Sequence, residues 1–209
     1  MEEKVIKLKS YYGVVLQNEY YDQNSNILTV ILPGQGYMNY VPLMHYSYKT
    51  ALELGLDVLC INYGFQICDK DFEIATELDI IIEESLQILK KCLIKEYKKI
   101  ILIGKSLGTI VGNKLSEKLS NIQQIHVYLT PVDVTFEYIL NTPCLIITGT
   151  KDKKVNKNII NKVVENKNYE LIEIDGGNHS LENFDTLKSI EMLKLVMLKL
   201  REFIINQLS

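Results

Sequence analysis

Gly104-Lys105-Ser106-Leu107-Gly108 is the stretch that decides how the rest of the chain is read. The apolar run Ile100 to Ile103 enters it directly, and Ile110, Val111, Leu115 and Leu119 leave it at helical spacing. The pentapeptide therefore joins a strand to a helix through a sharp turn. A serine at the centre of G-x-S-x-G in that setting is held in a strained turn with its hydroxyl above the strand end. The two glycines remove side chains that would collide there. The pattern reads as a nucleophile elbow, with the Leu107 N–H at the helix start pointing toward negative charge that develops beside Ser106.

Gly104-Lys105-Ser106 also carries the last letters of a phosphate loop. G-x-x-x-x-G-K-[ST] needs a glycine five places before Gly104, and Lys99 stands there. The four residues between are strand rather than a flexible cradle, so a nucleotide site is rejected. A chance G-x-S-x-G in a loop is the plainer rival, and partners elsewhere in the chain must decide between the two.

With 209 residues, nearly half of them apolar, the chain is long enough to bury a full core, and a single α/β domain over 1–209 without a large cap is expected. The net charge is −3 and Lys is interspersed with Glu and Asp, which favours neither nucleic acid nor an anionic membrane surface. Cys60, Cys68, Cys92 and Cys144 form no C-x-x-C pair and read as reduced thiols. Histidine and cysteine do not cluster at ligand spacing, so neither a metal nor a cofactor is implied. Met1-Glu2-Glu3-Lys4 has no apolar run behind it. The most apolar segment, Thr186 to Leu208, is interrupted by Lys188, Glu191, Lys194, Lys199, Arg201 and Glu202. A cytoplasmic protein that does not enter the membrane is expected.

Along the chain, Lys4 to Lys9 alternates and Gly13 to Gln17 is a second β-like run, together an edge hairpin. Tyr20 to Asn26 reads as polar turn chemistry. Ile27 to Leu32 is a buried strand stopped by Pro33-Gly34-Gln35-Gly36, a turn that leaves N–H groups unpaired at the strand's carboxyl end. Gln35 N–H is the first choice for a second oxyanion donor, and a plain strand-to-helix turn is the rival. A dinucleotide fingerprint fails because Asn39 holds its third glycine position. Helices are expected over Val41 to Leu54, Glu73 to Tyr97, Asn158 to Val164 and Thr186 to Leu208. Further strands are expected over Asp57 to Asn62, Gln124 to Leu129, Thr142 to Thr148 and Tyr169 to Ile174, with Val132 to Leu140 a linking segment. Strands alternating with helices imply a mostly parallel sheet in a three-layer α/β/α sandwich, preceded by the antiparallel hairpin. The final helix is apolar on more than one stripe. Deep burial is the plain explanation, and a homodimer contact is the other.

Ser106, Asp152 and His179 occur in that chain order, each directly after an expected strand of one sheet, which puts all three at the same sheet edge. A serine hydroxyl needs a base to become a nucleophile, and the imidazole needs an acid to fix its tautomer. On these motifs the chain resembles the α/β-hydrolase superfamily along most of its length. The elbow pentapeptide and small lidless plan look similar to its compact dienelactone-hydrolase-like and KAT8-regulatory-subunit-like branch. The resemblance implies Ser106 as nucleophile, Asp152 as acid, His179 as base, and Leu107 and Gln35 as main-chain oxyanion donors. Pro33-Gly34 stands where many relatives have His-Gly, and Thr109 where a glycine often follows the elbow.

Each assignment has a rival. Asp152 could cap the helix beginning near Asn156, and Asp133 follows the preceding strand, where some hydrolases keep their acid. His45, within an expected helix, and His126, inside an expected strand, fit the base less well than His179. Tyr37, Tyr40, Tyr63, Phe65 and Tyr128 are candidates for an apolar acyl or alkyl pocket, against the ordinary reading as packing. Its walls are expected from Tyr37 to Met44, Tyr63 to Asp71 and Pro131 to Leu140. The function expected is a serine hydrolase that cleaves a carboxylic ester or thioester of a small or medium-sized substrate. The alternatives are a small-molecule binding protein on the same fold with little turnover, and an acyltransferase.

Overall fold

Apolar runs without alternation mark strands covered on both faces. β3 (Ile27–Leu32) is buried at every position and lies in the middle of one eight-stranded sheet. The computed structural model describes residues 1–119, 121–138, 142–164 and 169–208. The other strands are β1 (Glu2–Lys9), β2 (Val15–Asp22), β4 (Asp57–Cys60), β5 (Lys99–Lys105), β6 (Gln123–Leu129), β7 (Cys144–Gly149) and β8 (Tyr169–Ile174). Their spatial order is β1-β2-β4-β3-β5-β6-β7-β8. From β4 to β8 every pairing is parallel, and β1 and β2 form the antiparallel hairpin at one edge.

Among the described residues six α-helices cover the sheet: α1 (Pro42–Glu53), α2 (Gly64–Ile67), α3 (Ile74–Cys92), α4 (Leu107–Glu117), α5 (Lys157–Val164) and α6 (Thr186–Gln207). Alternate residues of β5 face opposite layers. Ile100 and Leu102 pack with Ile81 and Ile88 of α3 and Ile110 of α4. Ile101 and Ile103 pack with Leu43 and Met44 of α1 and Val196 and Leu200 of α6. The result is the α/β/α sandwich, and it brings the carboxyl ends of β3, β5, β7 and β8 to one rim.

Several expected boundaries move, each for a physical reason. Tyr20 and Tyr21 continue β2 and pair with Leu59 and Val58, because their rings bury against the sheet while their hydroxyls find polar partners. The helix expected over Glu73 to Tyr97 stops at Cys92. Tyr97 instead turns inward, with its hydroxyl 2.6 Å from Tyr20 Oη and 2.7 Å from Asp57 Oδ2. Val132 to Leu140 contains a 3-10 helix, Asp133–Tyr138; residues 139 and 140 lie outside the described residues. Deep burial accounts for only one stripe of α6: Val196, Leu200, Phe203 and Ile204 are buried, whereas Leu187, Ile190, Leu195 and Leu198 are exposed. No helix among the described residues is long and apolar enough to cross a membrane. All four cysteines are free; Cys60, Cys92 and Cys144 are buried and Cys68 is half-buried.

Candidate active site

β5 passes through Lys105 to Ser106, which has φ 50° and ψ −114°, and α4 starts at the next residue. A non-glycine residue in that conformation stores on the order of 1–3 kcal/mol of strain and persists only where its surroundings enforce it. Here Ser106 N–H donates to Leu129 O at 3.0 Å, and the Thr109 N–H and hydroxyl both donate to Ser106 O, at 2.9 and 2.6 Å. A Cβ on Gly108 would collide with the Leu32 carbonyl, and one on Gly104 with the Gly108 carbonyl. Only glycine lets α4 close against the ends of β3 and β5.

The exits of β7 and β8 are stitched together. Thr150 N–H donates to Ile174 O at 3.0 Å and Lys151 N–H to Gly177 O at 2.9 Å. From these two loops Asp152 and His179 converge on Ser106. His179 Nδ1 lies 2.8 Å from Asp152 Oδ2, and its Nε2 lies 2.9 Å from Ser106 Oγ. The network assigns the proton to Nδ1, which donates to the carboxylate and leaves Nε2 to accept the serine hydroxyl. The Asp152 side chain is wholly shielded from solvent. Burial alone would raise its carboxyl pKa. The hydrogen bonds from His179 and Lys154 N–H, with the charge of Lys105, hold it below the usual carboxylate value instead.

The turn after β3 reaches the same place. Gly34 N–H donates to Tyr37 O at 3.1 Å and Tyr37 N–H returns to Gly34 O at 3.3 Å. A Cβ on Gly34 would lie 3.5 Å from Ser106 Cβ, so this turn packs directly on the elbow. Gln66, which no motif singles out, steadies it by donating Nε2 to Gly34 O at 2.7 Å and Gln35 O at 3.0 Å. Gln35, Ser106 and Leu107 open onto one cavity of about 390 Å³, walled by Ile74, Ile110, Val132 and Val134, with Asp133 and Lys154 also on its wall. Leu107 is the first residue of α4, whose leading N–H groups have no carbonyl of the same helix to bond.

The whole chain superposes on solved structures of one kind. It is similar to Est1E from Butyrivibrio proteoclasticus, with a TM-score of 0.74 and 16% identity over 100% of this chain and 99% of that one. An α/β serine hydrolase without a lid from Xanthomonas campestris gives a TM-score of 0.75 and 13% identity over 99% and 95%. The esterase Pf2001 of Pyrococcus furiosus gives 0.70 and 17% over 98% and 92%. The chain has the α/β-hydrolase fold. No family model and no curated protein matches the sequence.

Within this α/β-hydrolase fold the rival residues have other tasks. Asp133 is exposed and accepts the Asn156 N–H at 2.7 Å, and Asn156 Oδ1 accepts the Asn158 N–H at 3.0 Å at the start of α5, so the capping role weighed for Asp152 falls to Asn156. His45 Nδ1 lies 3.3 Å from Tyr48 Oη on α1. His126 is buried in β6 with Nε2 2.8 Å from Ser116 Oγ, and burial pushes its pKa down to about 4. The aromatic set does not line the cavity beside Ser106. Tyr63 is 1% exposed and stacks on Phe65 in the core, where a strand-end aromatic finds most apolar area. Tyr128 is buried with its hydroxyl donated to Asn113 Oδ1. Phe65 borders a neighbouring cavity that it shares with Gln35, and Tyr37 borders another with Leu43 and Leu181. Tyr40 is exposed. The walls beside Ser106 come from α3, α4 and the segment after β6, which is the part of the expected Pro131 to Leu140 wall that lies within the described residues.

Proposed function

We propose that the protein is a serine hydrolase that cleaves a carboxylic ester or thioester of a small or medium-sized substrate. The observation that carries this reading is the unbroken chain from Ser106 Oγ through His179 to Asp152, with links of 2.9 and 2.8 Å. Ser106 Oγ attacks the carbonyl carbon as its proton passes to His179 Nε2, and Asp152 stabilises the imidazolium that forms. The Gln35 and Leu107 N–H groups receive the negative oxygen of the tetrahedral intermediate. Collapse expels the alcohol or thiol, which takes the proton from Nε2, and leaves an acyl group on Ser106. Water then attacks that acyl group with His179 as base, and the acid departs. The cavity beside Ser106, mainly apolar with Lys154 among its lining, suits an acyl or alkyl group of modest length. Solved structures described as esterases and as a serine hydrolase share this fold, which supports the assignment.

A fluorophosphonate probe labels the wild type and leaves Ser106→Ala unlabelled. Equal labelling of the two proteins defeats the reading. A series of p-nitrophenyl esters of increasing chain length then reads the cavity, with hydrolysis above the Ser106→Ala background expected and a fall in kcat/KM once the acyl chain outgrows the space.

A further inference from the structure

Lys105 sits between the elbow's first glycine and Ser106, and the reaction just described gives it no task. Its place in β5 shares the parity of Ile101 and Ile103, so its side chain leaves the sheet on the face covered by α1 and α6. It is only 2% exposed. A lysine so far from water loses its hydration, and other contacts must offset that loss.

Two contacts do so. Nζ donates to the main-chain carbonyl of His179 at 3.1 Å, and it lies 4.5 Å from the centre of the Tyr37 ring, within cation–π range. Tyr37 in turn holds Gly34 through paired main-chain hydrogen bonds and receives the Leu43 N–H on its hydroxyl at 3.2 Å. One ammonium, adjacent in sequence to Ser106, therefore touches both the residue that carries the imidazole and the turn that carries Gln35.

We infer that Lys105 is a positioning residue whose ammonium clasps the His179 loop to the Gly34–Tyr37 turn and fixes both against Ser106. The inference rests on the serine-hydrolase reading. The charged and titratable groups around Nζ are Tyr37 from the turn after β3, Asp152 and Lys154 from the loop after β7, and His179 and Glu182 from the loop after β8. Burial pushes the Lys105 pKa down to about 8; Asp152 raises it, Lys154 lowers it further and Glu182 raises it. Tyr37 stays protonated through that range because burial raises its phenol, and Asp152 stays ionised. Losing the Lys105 proton removes the attraction to the ring face, so the clasp loosens as pH rises through about 8.

Steady-state hydrolysis of p-nitrophenyl acetate from about pH 6 to about pH 10, corrected for the Ser106→Ala rate, tests this. Wild-type kcat declines above about pH 8. Lys105→Met lowers kcat at neutral pH by roughly 10- to 100-fold with KM within about threefold, and its profile lacks that alkaline decline. Lys105→Arg stays within about tenfold of wild type and holds its kcat on the alkaline side, because a guanidinium keeps its proton. An unchanged kcat in Lys105→Met, or an alkaline decline that persists in Lys105→Met or Lys105→Arg, overturns the clasp. A wild-type rate no higher than Ser106→Ala overturns the hydrolase reading instead. Amide hydrogen exchange at neutral pH decides the clasp without turnover: residues 34–37 and 178–182 exchange faster in Lys105→Met than in wild type, while Ile100 to Ile103 do not. Equal exchange in those two segments overturns the inference whether or not any ester is cleaved.

Discussion

Two buried polar clusters occupy opposite ends of the same sheet on opposite terms. At the amino ends of β4 and β5, Asp57 is fully buried and accepts from Gln23 N–H at 2.8 Å, Ser25 N–H at 3.0 Å, Lys95 Nζ at 2.7 Å and Tyr97 Oη at 2.7 Å. Burial opposes its charge, but those bonds hold its pKa below the ordinary value. Lys95 keeps 28% of its side chain in solvent and bridges Asp57 and Asp22, which raise its pKa against the effect of burial. At the carboxyl end, Ser106 sits at φ 50° and the more deeply buried Lys105 rests on a carbonyl and an aromatic ring. The contrast is between a cluster that matches charge with charge and fixes the fold, and one that holds a charge short of partners beside a strained backbone. Strain and incomplete compensation of that kind cluster at functional sites in proteins generally, which accords with the reading proposed for Ser106.

The contrast breaks most clearly at Ser106. Ser106→Ala is expected to lower kcat on the order of 10⁴- to 10⁶-fold while the urea unfolding midpoint stays in place. A loss of stability in step with activity would erase the distinction between the two ends. Asp57→Ala carries the reverse signature: it strands Lys95 and Tyr97 and should cost about 3–5 kcal/mol in urea unfolding, with fluorophosphonate labelling per folded molecule unchanged. Because the folded pKa of Asp57 lies below its unfolded value, its contribution is complete above about pH 4 and is lost as pH falls through the folded pKa. The stability gap between wild type and Asp57→Ala should therefore narrow in acid.

Lys105 sharpens the comparison with the opposite sign. Its folded pKa of about 8 lies below the unfolded value, so between about pH 8 and about pH 10.4 the native state binds fewer protons than the unfolded chain. The wild-type stability measured against Lys105→Met should rise across that window by up to about 3 kcal/mol, and a flat difference would place the amine in water. The smallest change in stability is expected from Ser106→Gly, which relieves the positive φ and should gain about 1 kcal/mol in thermal unfolding, although it abolishes labelling as Ser106→Ala does.

The sequence declared the layers and the rim before it declared the details. β3 begins and ends where its run Ile27 to Leu32 does, because a strand covered on both faces is apolar nearly throughout and turn residues flank it. Ser106, Asp152 and His179 were legible because parallel strands deliver every following loop to one edge. The aromatic wall was not. Whether Tyr63 or Tyr128 faces the cavity depends on strand pairing and on helices distant in the chain, and both rings lie in the core. Gln66 and Lys105 escaped for the same reason: their partners lie 32 and 74 residues away, and no local pattern announces such meetings. Tyr20 and Tyr21 misled because tyrosine is polar at its tip and apolar along its ring, so a strand end looked like part of the turn that follows over residues 23–26.

The distribution of the thiols has a practical result. Burial pushes the pKa of Cys92 up to about 12 and raises those of Cys60 and Cys144, so these three present almost no thiolate at neutral pH. Cys68 is half-buried and follows Gln66, whose side chain holds the turn beside Ser106, by two residues. A maleimide dye should attach at Cys68 in preference to the other three, so the unmodified chain already carries an attachment point for a fluorophore close to the turn whose movement one would want to watch.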